Sequence, residues 1–246
     1  MPVTAARANE YRALLGEASR MAQEDLVALW RRLEYLDPDA LYAALRDGVP
    51  EVVGAYRAMT ADTALVFYEE TQGLAFNAAE ARAAGMVNRA QLDASLRWAI
   101  YSGGADVLGK LAGVVQKHVI DGSRQYALSG FHREGSLWVR SARPQACEFC
   151  RMLATRAVTR DGAGWGPYVS AEGAVKVGAG KRKQGQSQPT GTEFHDHCMC
   201  IPVLASEYEP PSYVERWAGE YYSAVAEVGN SSDYHAILSV MRKNAR

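Results

Sequence analysis

All four cysteines of this chain fall in two short clusters, Cys147-Glu-Phe-Cys150 and His195-Asp-His197-Cys198-Met-Cys200, and two of its five histidines sit in the second. No other feature constrains the fold as strongly. Zinc takes about four thiolate or imidazole donors in a tetrahedron. A Cys-x-x-Cys on a tight turn delivers two sulfurs to one ion, and His-x-x-Cys offers a second pair from another arm of the chain. The stretch between the arms is rich in glycine and short of apolar residues, so closure by a metal would contribute directly to folding. The preferred donors are Cys147, Cys150, His195 and Cys198, with Cys200 as first substitute and His197 as second. A site of four cysteines and no histidine is a further option. Disulfides are the competing use of the same thiols. The N-terminus, Met-Pro-Val-Thr-Ala-Ala-Arg, has no apolar stretch leading to a small-residue cleavage site, which favours a reducing compartment and metal. No thioredoxin-like strand-to-helix context surrounds the Cys-x-x-Cys, which argues against a redox pair. Donors exceed four, which suits a closed structural site rather than a catalytic one with an open position.

The 246 residues suit one large domain or two modest ones. The first half reads as helix. Over 11–35, apolar residues recur at helical spacing, among them Leu15, Ala18, Ala22, Leu26 and Leu29. Asp37-Pro38-Asp39 is a break, with Asp39 placed to cap a short helix over 40–46. Gly48-Val-Pro50 reads as a second break before a long helix over 51–73. Two more helices are expected over 89–101 and 105–131, separated by Gly103-Gly104. The character changes near Gly135. Residues 136–142 alternate like a strand, and 174–177 and 200–204 are β-like. Residues 178–192 read as a loop, and helices return over 213–228 and 233–243. The expected fold is mainly α with a small α+β zinc-knuckle module in the C-terminal half. Its parts are a helical N-terminal region over 1–135, the zinc-stabilised module over 136–208 and a C-terminal helical extension over 209–246. Apolar runs all stop well short of the ~18 residues a membrane span needs.

The cluster resembles the Mu F-like head morphogenesis proteins of tailed bacteriophages, the minor capsid family. That family carries a Cys-x-x-Cys near a short strand and a His-x-x-Cys-x-Cys downstream, which correspond here to Cys147, Cys150, His195, Cys198 and Cys200. The aromatic before the histidines and the basic glycine-rich loop are most similar to the actinobacterial phage branch. The motif covers residues 137–204; elsewhere the similarity is one of architecture. The chain departs from the family at Ala142-Arg143-Pro144-Gln145-Ala146, where many relatives have an acidic or Arg-Thr lead-in, and at Met199, where Arg is common. The resemblance implies a virion protein of the capsid interior or portal vertex, assembled in the host cytoplasm. Its implied partners are the portal, the major capsid or scaffold protein and packaged DNA. Related genes of the actinobacterial branch are often labelled capsid maturation protease, which is the alternative activity.

The residues themselves nominate no catalytic set. His118, His132 and His235 lie outside the cluster, and neither Gly-x-Ser-x-Gly nor His-Glu-x-x-His occurs. His118, alone on a helix, reads as a surface or capping residue. The net charge of −1 gives no global pull toward nucleic acid. Lys176, Lys181, Arg182 and Lys183 nevertheless form a basic run suited either to DNA phosphates or simply to water. Trp30, Tyr35, Tyr42, Tyr56 and Trp98 could serve an interface, although core packing is the commoner use of such aromatics.

Overall fold

The computed structural model describes residues 3–102, 104–155, 194–230 and 233–244, and the backbone of 175–177 and 187–189. It is mainly helical, with a small two-stranded sheet and a Cys/His cluster in the C-terminal half. The chain divides into two compact units. One comprises Glu10–Gly130 with His195–Cys198, and the other Met1–Asn9, Phe131–Phe194 and Met199–Arg246. Among the described residues, no helix is long and apolar enough to cross a membrane.

The first unit is built on α1 (Ala5–Trp30), α2 (Pro38–Gln72), α3 (Ala78–Gly85), α4 (Arg89–Tyr101) and α5 (Val107–Arg133). One apolar cluster takes Ala18, Ala22 and Leu26 from α1, Leu45, Val49 and Val53 from α2, Leu92 and Leu96 from α4, and Leu111, Val115 and Val119 from α5. Spacings of four put each set on one helix face. Each large aliphatic side chain buried in this cluster contributes about 1.5–3 kcal/mol. Tyr11 adds a second contact: its ring stacks on Phe67 at 3.9 Å and its hydroxyl meets Ser123 Oγ at 2.6 Å.

The structure corrects the reading of α2. Residues 38–72 form one helix that runs through Gly48 and Pro50. A proline inside a helix costs about 3 kcal/mol. Here Val49, Pro50 and Val53 are all buried, and Gly48 lies where a Cβ would meet Leu29 at 3.1 Å, so packing offsets the missing N–H. The cap is Asp37, not Asp39: Asp37 Oδ1 accepts from the N–H groups of Asp39 and Ala40. Asp39 instead accepts from the Tyr101 hydroxyl at 2.6 Å. Gly73, at φ 66, closes the helix in the left-handed conformation glycine favours. Of the flagged aromatics, Tyr35 and Trp98 are exposed, while Trp30, Tyr42 and Tyr56 pack partly against the core.

His118 is also corrected. It is buried on α5, where its carbonyl accepts from Arg57 Nη1 at 2.7 Å and its Nε2 lies 3.3 Å from Ser95 Oγ. The apolar periodicity of α5 carries it inward with Val115 and Val119. Burial first, and the Lys117 charge second, lower its pKa to about 4; Asp121 opposes them and Arg57 adds to them. The unfolded chain therefore takes up a proton between pH 6.5 and 4 that the folded chain refuses. Stability should fall as pH drops through that window, by about 3 kcal/mol in all, and this part of the loss should level off below it. Urea unfolding of wild type and His118→Gln across this range checks it: the difference between the two curves should grow as pH falls and flatten near pH 4.

The second unit holds a two-stranded sheet of β1 (Trp138–Ser141) and β4 (Ile201–Leu204), with α6 (Glu148–Ala154), α7 (Ser212–Val228) and α8 (Tyr234–Asn244). The strands β2 (Val175–Val177) and β3 (Ser187–Pro189) pair as a separate antiparallel ladder. In the β1–β4 ladder, Trp138 faces Leu204 and Ser141 faces Ile201. Val3 donates its N–H to the Glu207 carbonyl. Met152 and Leu153 of α6 pack with Tyr221 and Ala224 of α7 and with Ile237, Leu238, Val240 and Met241 of α8.

Candidate metal centre

The register of the β1–β4 ladder explains how distant cysteines meet. Ser141 and Ile201 are paired at one end of it. The chain leaving β1 there reaches Cys147 within a short turn, in which the Ala146 N–H donates to the Arg143 carbonyl. The chain entering β4 there carries Cys200 immediately before Ile201. One ladder end thus gathers both arms.

The first arm begins α6. Cys147 is its N-cap residue, with φ −66 and ψ 162, and Cys150 lies in its first turn. That spacing turns both sulfurs to the same side of the helix start. The helix is anchored by its apolar face and by polar contacts. Arg151 Nε donates to the Ala146 carbonyl at 2.7 Å, and its guanidinium lies over Trp217 at 5.4 Å. Arg242 Nε donates to Glu148 Oε1 at 2.7 Å.

The second arm is a tight turn. Phe194 is buried beneath the Arg140 guanidinium, 4.0 Å from its ring centre. The Cys198 N–H donates to the His195 carbonyl at 3.2 Å. His195 Nδ1 lies 2.6 Å from the Asp196 carbonyl. A carbonyl only accepts, so Nδ1 carries the hydrogen and the lone pair is on Nε2, the form in which an imidazole binds metal. His197 has φ 60, an uncommon conformation for a residue with a side chain. Its ring rests on α5, where a Cβ at Gly113 would stand 2.7 Å from His197 Nε2.

Two groups of donor atoms result. Cys147, Cys150 and His195 lie within 4.8 Å of one another, and so do Cys150, Cys198 and Cys200. Cys150 belongs to both. Cys150, Cys198 and Cys200 are buried, and none of the four cysteines is in a disulfide. Sulfurs in a tetrahedron around an ion with bonds of about 2.3 Å stand about 3.8 Å apart, so small side-chain shifts would seat four of these donors on one ion. Thiolates with one imidazole suit a soft or borderline ion and exclude the oxygen-seeking ones. The structure thus brings together Cys147, Cys150, His195, Cys198 and Cys200, while His197 is in neither group. Of the basic run, Lys181, Arg182 and Lys183 lie outside the described residues, and only the backbone of Lys176, on β2, is described.

Sequence reading missed the support under the second arm. Arg124, on α5, donates from Nη2 to the Cys198 carbonyl at 2.6 Å and from Nη1 to Asp121 Oδ1 at 2.9 Å. Lys117 Nζ reaches Asp121 Oδ2 at 2.8 Å. Burial works to raise the Asp121 pKa, but the Arg124 and Lys117 charges outweigh it and hold the carboxyl below its usual range. Lys117, Asp121 and Arg124 stand on α5 at spacings of four and three, which marks charges that satisfy one another, but nothing local points to the Cys198 carbonyl.

A family model described as VG15 protein matches residues 2–224, which includes both arms of the cluster. No curated protein and no solved structure matches the chain.

Proposed function

The chain belongs to the VG15 protein family, a viral gene-product family, and from that premise we propose that it is a phage minor head protein whose Cys/His cluster holds one structural zinc ion. One observation carries the zinc reading: five nitrogen and sulfur donors converge at one end of a two-stranded ladder with no disulfide among them. Four protein donors close a zinc coordination sphere, which suits a role in holding the fold. Each sheet described in the unit has only two strands, and such a sheet alone is marginal in water. Zinc would supply what that small core lacks.

The viral family and the resemblance of the Cys/His motif to that of Mu F-like proteins support the head-assembly role. The protein acts early in assembly, binding the portal or the inner capsid surface, with the major capsid or scaffold protein as neighbour. The run Lys176, Lys181, Arg182 and Lys183 is its contact for packaged DNA. Quantitative mass spectrometry of purified particles tests this. The expected result is the chain present at a few copies per particle, far below the major capsid protein. Its absence from both mature particles and assembly intermediates would refute the head-protein reading.

A further inference from the structure

We propose that Arg124 is the positioning residue of the metal centre: from helix α5 it fixes the Cys198 carbonyl, and with it the direction in which the Cys198 thiolate meets the ion. The inference rests on the zinc reading above and adds a role for a residue outside the ligand set.

Arg124 is 1% exposed, and Cys198 is buried as well. Its guanidinium spans two acceptors, the Asp121 carboxylate at 2.9 Å and the Cys198 carbonyl at 2.6 Å. Asp121 and Arg124 are one helical turn apart, so α5 itself sets where the guanidinium points. Lys117, at 2.8 Å from the other carboxylate oxygen, fixes Asp121 in turn. The hydrogen bond to Cys198 is charge-assisted and buried, the class worth most and costliest to lose.

The turn it holds needs holding. His197, immediately before Cys198, sits at φ 60, which disfavours a residue with a Cβ by about 1–2 kcal/mol. The chain can keep that conformation only where its surroundings enforce it. Two contacts on α5 do so: the bare backbone at Gly113, which leaves room for the His197 ring, and Arg124. If His197 relaxed to negative φ, the peptide plane before Cys198 would rotate. The Cys198 sulfur would then leave its place beside Cys150 and Cys200. Arg124 therefore pre-forms the ligand geometry, as outer hydrogen bonds do at metal sites, where their removal costs about 10–100-fold in affinity.

The test uses full-length protein with cobalt(II) as a coloured substitute for zinc, titrated against a competing chelator. Arg124→Lys keeps a cation beside Asp121 but withdraws the forked donor. Asp121→Asn keeps the guanidinium and loosens its anchor. Both variants are expected to retain wild-type helicity, to bind cobalt about tenfold or more weakly, and to show a weaker thiolate-to-cobalt absorption band. Wild-type affinity and an unchanged band in both variants would overturn the proposal. Loss of helicity in both would assign Arg124 to the fold and overturn it equally. A wild-type protein that binds neither cobalt nor zinc would remove the metal reading itself, an outcome distinct because it appears before any substitution is made.

Discussion

Cys150→Ser should empty the metal centre more completely than any other single cysteine substitution. Its sulfur is the one shared by both donor groups, Cys147 with His195 and Cys198 with Cys200. Five donors serve four positions, so loss of Cys147 or Cys200 leaves four, and a substitute can complete the sphere. Loss of Cys150 also leaves four in number, but neither group then keeps its third member, and the two pairs no longer share a centre. Serine preserves size and removes the thiolate, so the change isolates coordination from packing. Because metal binding is linked to folding, the variant should lose several kcal/mol and melt about 10 °C or more below wild type. Metal analysis and thermal melting of Cys150→Ser, Cys147→Ser and Cys200→Ser together check the ranking. Equal, small losses in all three would contradict it.

Gly122→Ala should be nearly as damaging, for a reason unrelated to metal. A Cβ at Gly122 would stand 2.3 Å from the Arg57 carbonyl oxygen and 2.8 Å from Thr60 Oγ1. The first of these is helix backbone and cannot swing aside. Here α5 crosses α2 main chain to main chain, and the approach lets Thr60 Oγ1 donate to the Val119 carbonyl at 2.6 Å. The same crossing seats the buried Arg57, which reaches the Ala84 carbonyl at 2.9 Å and the His118 carbonyl at 2.7 Å. Forcing the helices apart breaks these bonds in an apolar setting, and a loss of about 3 kcal/mol or more is expected. Gly219→Ala is the control: nothing lies within 4 Å of a Cβ on that α7 residue. There alanine should stabilise by about 0.5–1 kcal/mol, because glycine in a helix interior costs conformational entropy. Urea unfolding of the pair checks both signs. A Gly122→Ala protein as stable as wild type would contradict the close crossing.

The sequence disclosed most where a local rule and a tertiary need agreed. Helix α4 was legible to its ends, because helical spacing runs up to the Gly103-Gly104 break in the sequence. The strands at Trp138–Ser141 and Ile201–Leu204 were legible from alternation and β-branched content. The Cys/His cluster was legible because cysteines and histidines fall into such close groups only rarely by chance. Where the two levels disagreed, reading failed. Pro50 argued for a break that buried Val49 and Val53 override. Helix α3, only Ala78–Gly85, is alanine-rich and carries too little periodicity to be seen. Helix α6 was hidden behind the cysteines at its own start. His118 and Arg124 were unreadable as buried groups, because their partners are a carbonyl and a serine in one case and a remote turn in the other. No local pattern announces a contact to a backbone atom so far along the chain.

Elemental mass spectrometry on tag-free protein purified under reducing conditions gives the zinc content per chain. About one zinc per chain is expected, retained through desalting and lost together with the melting transition when a strong chelator is added. A wild-type protein that folds and melts cooperatively with no bound metal would contradict the zinc reading.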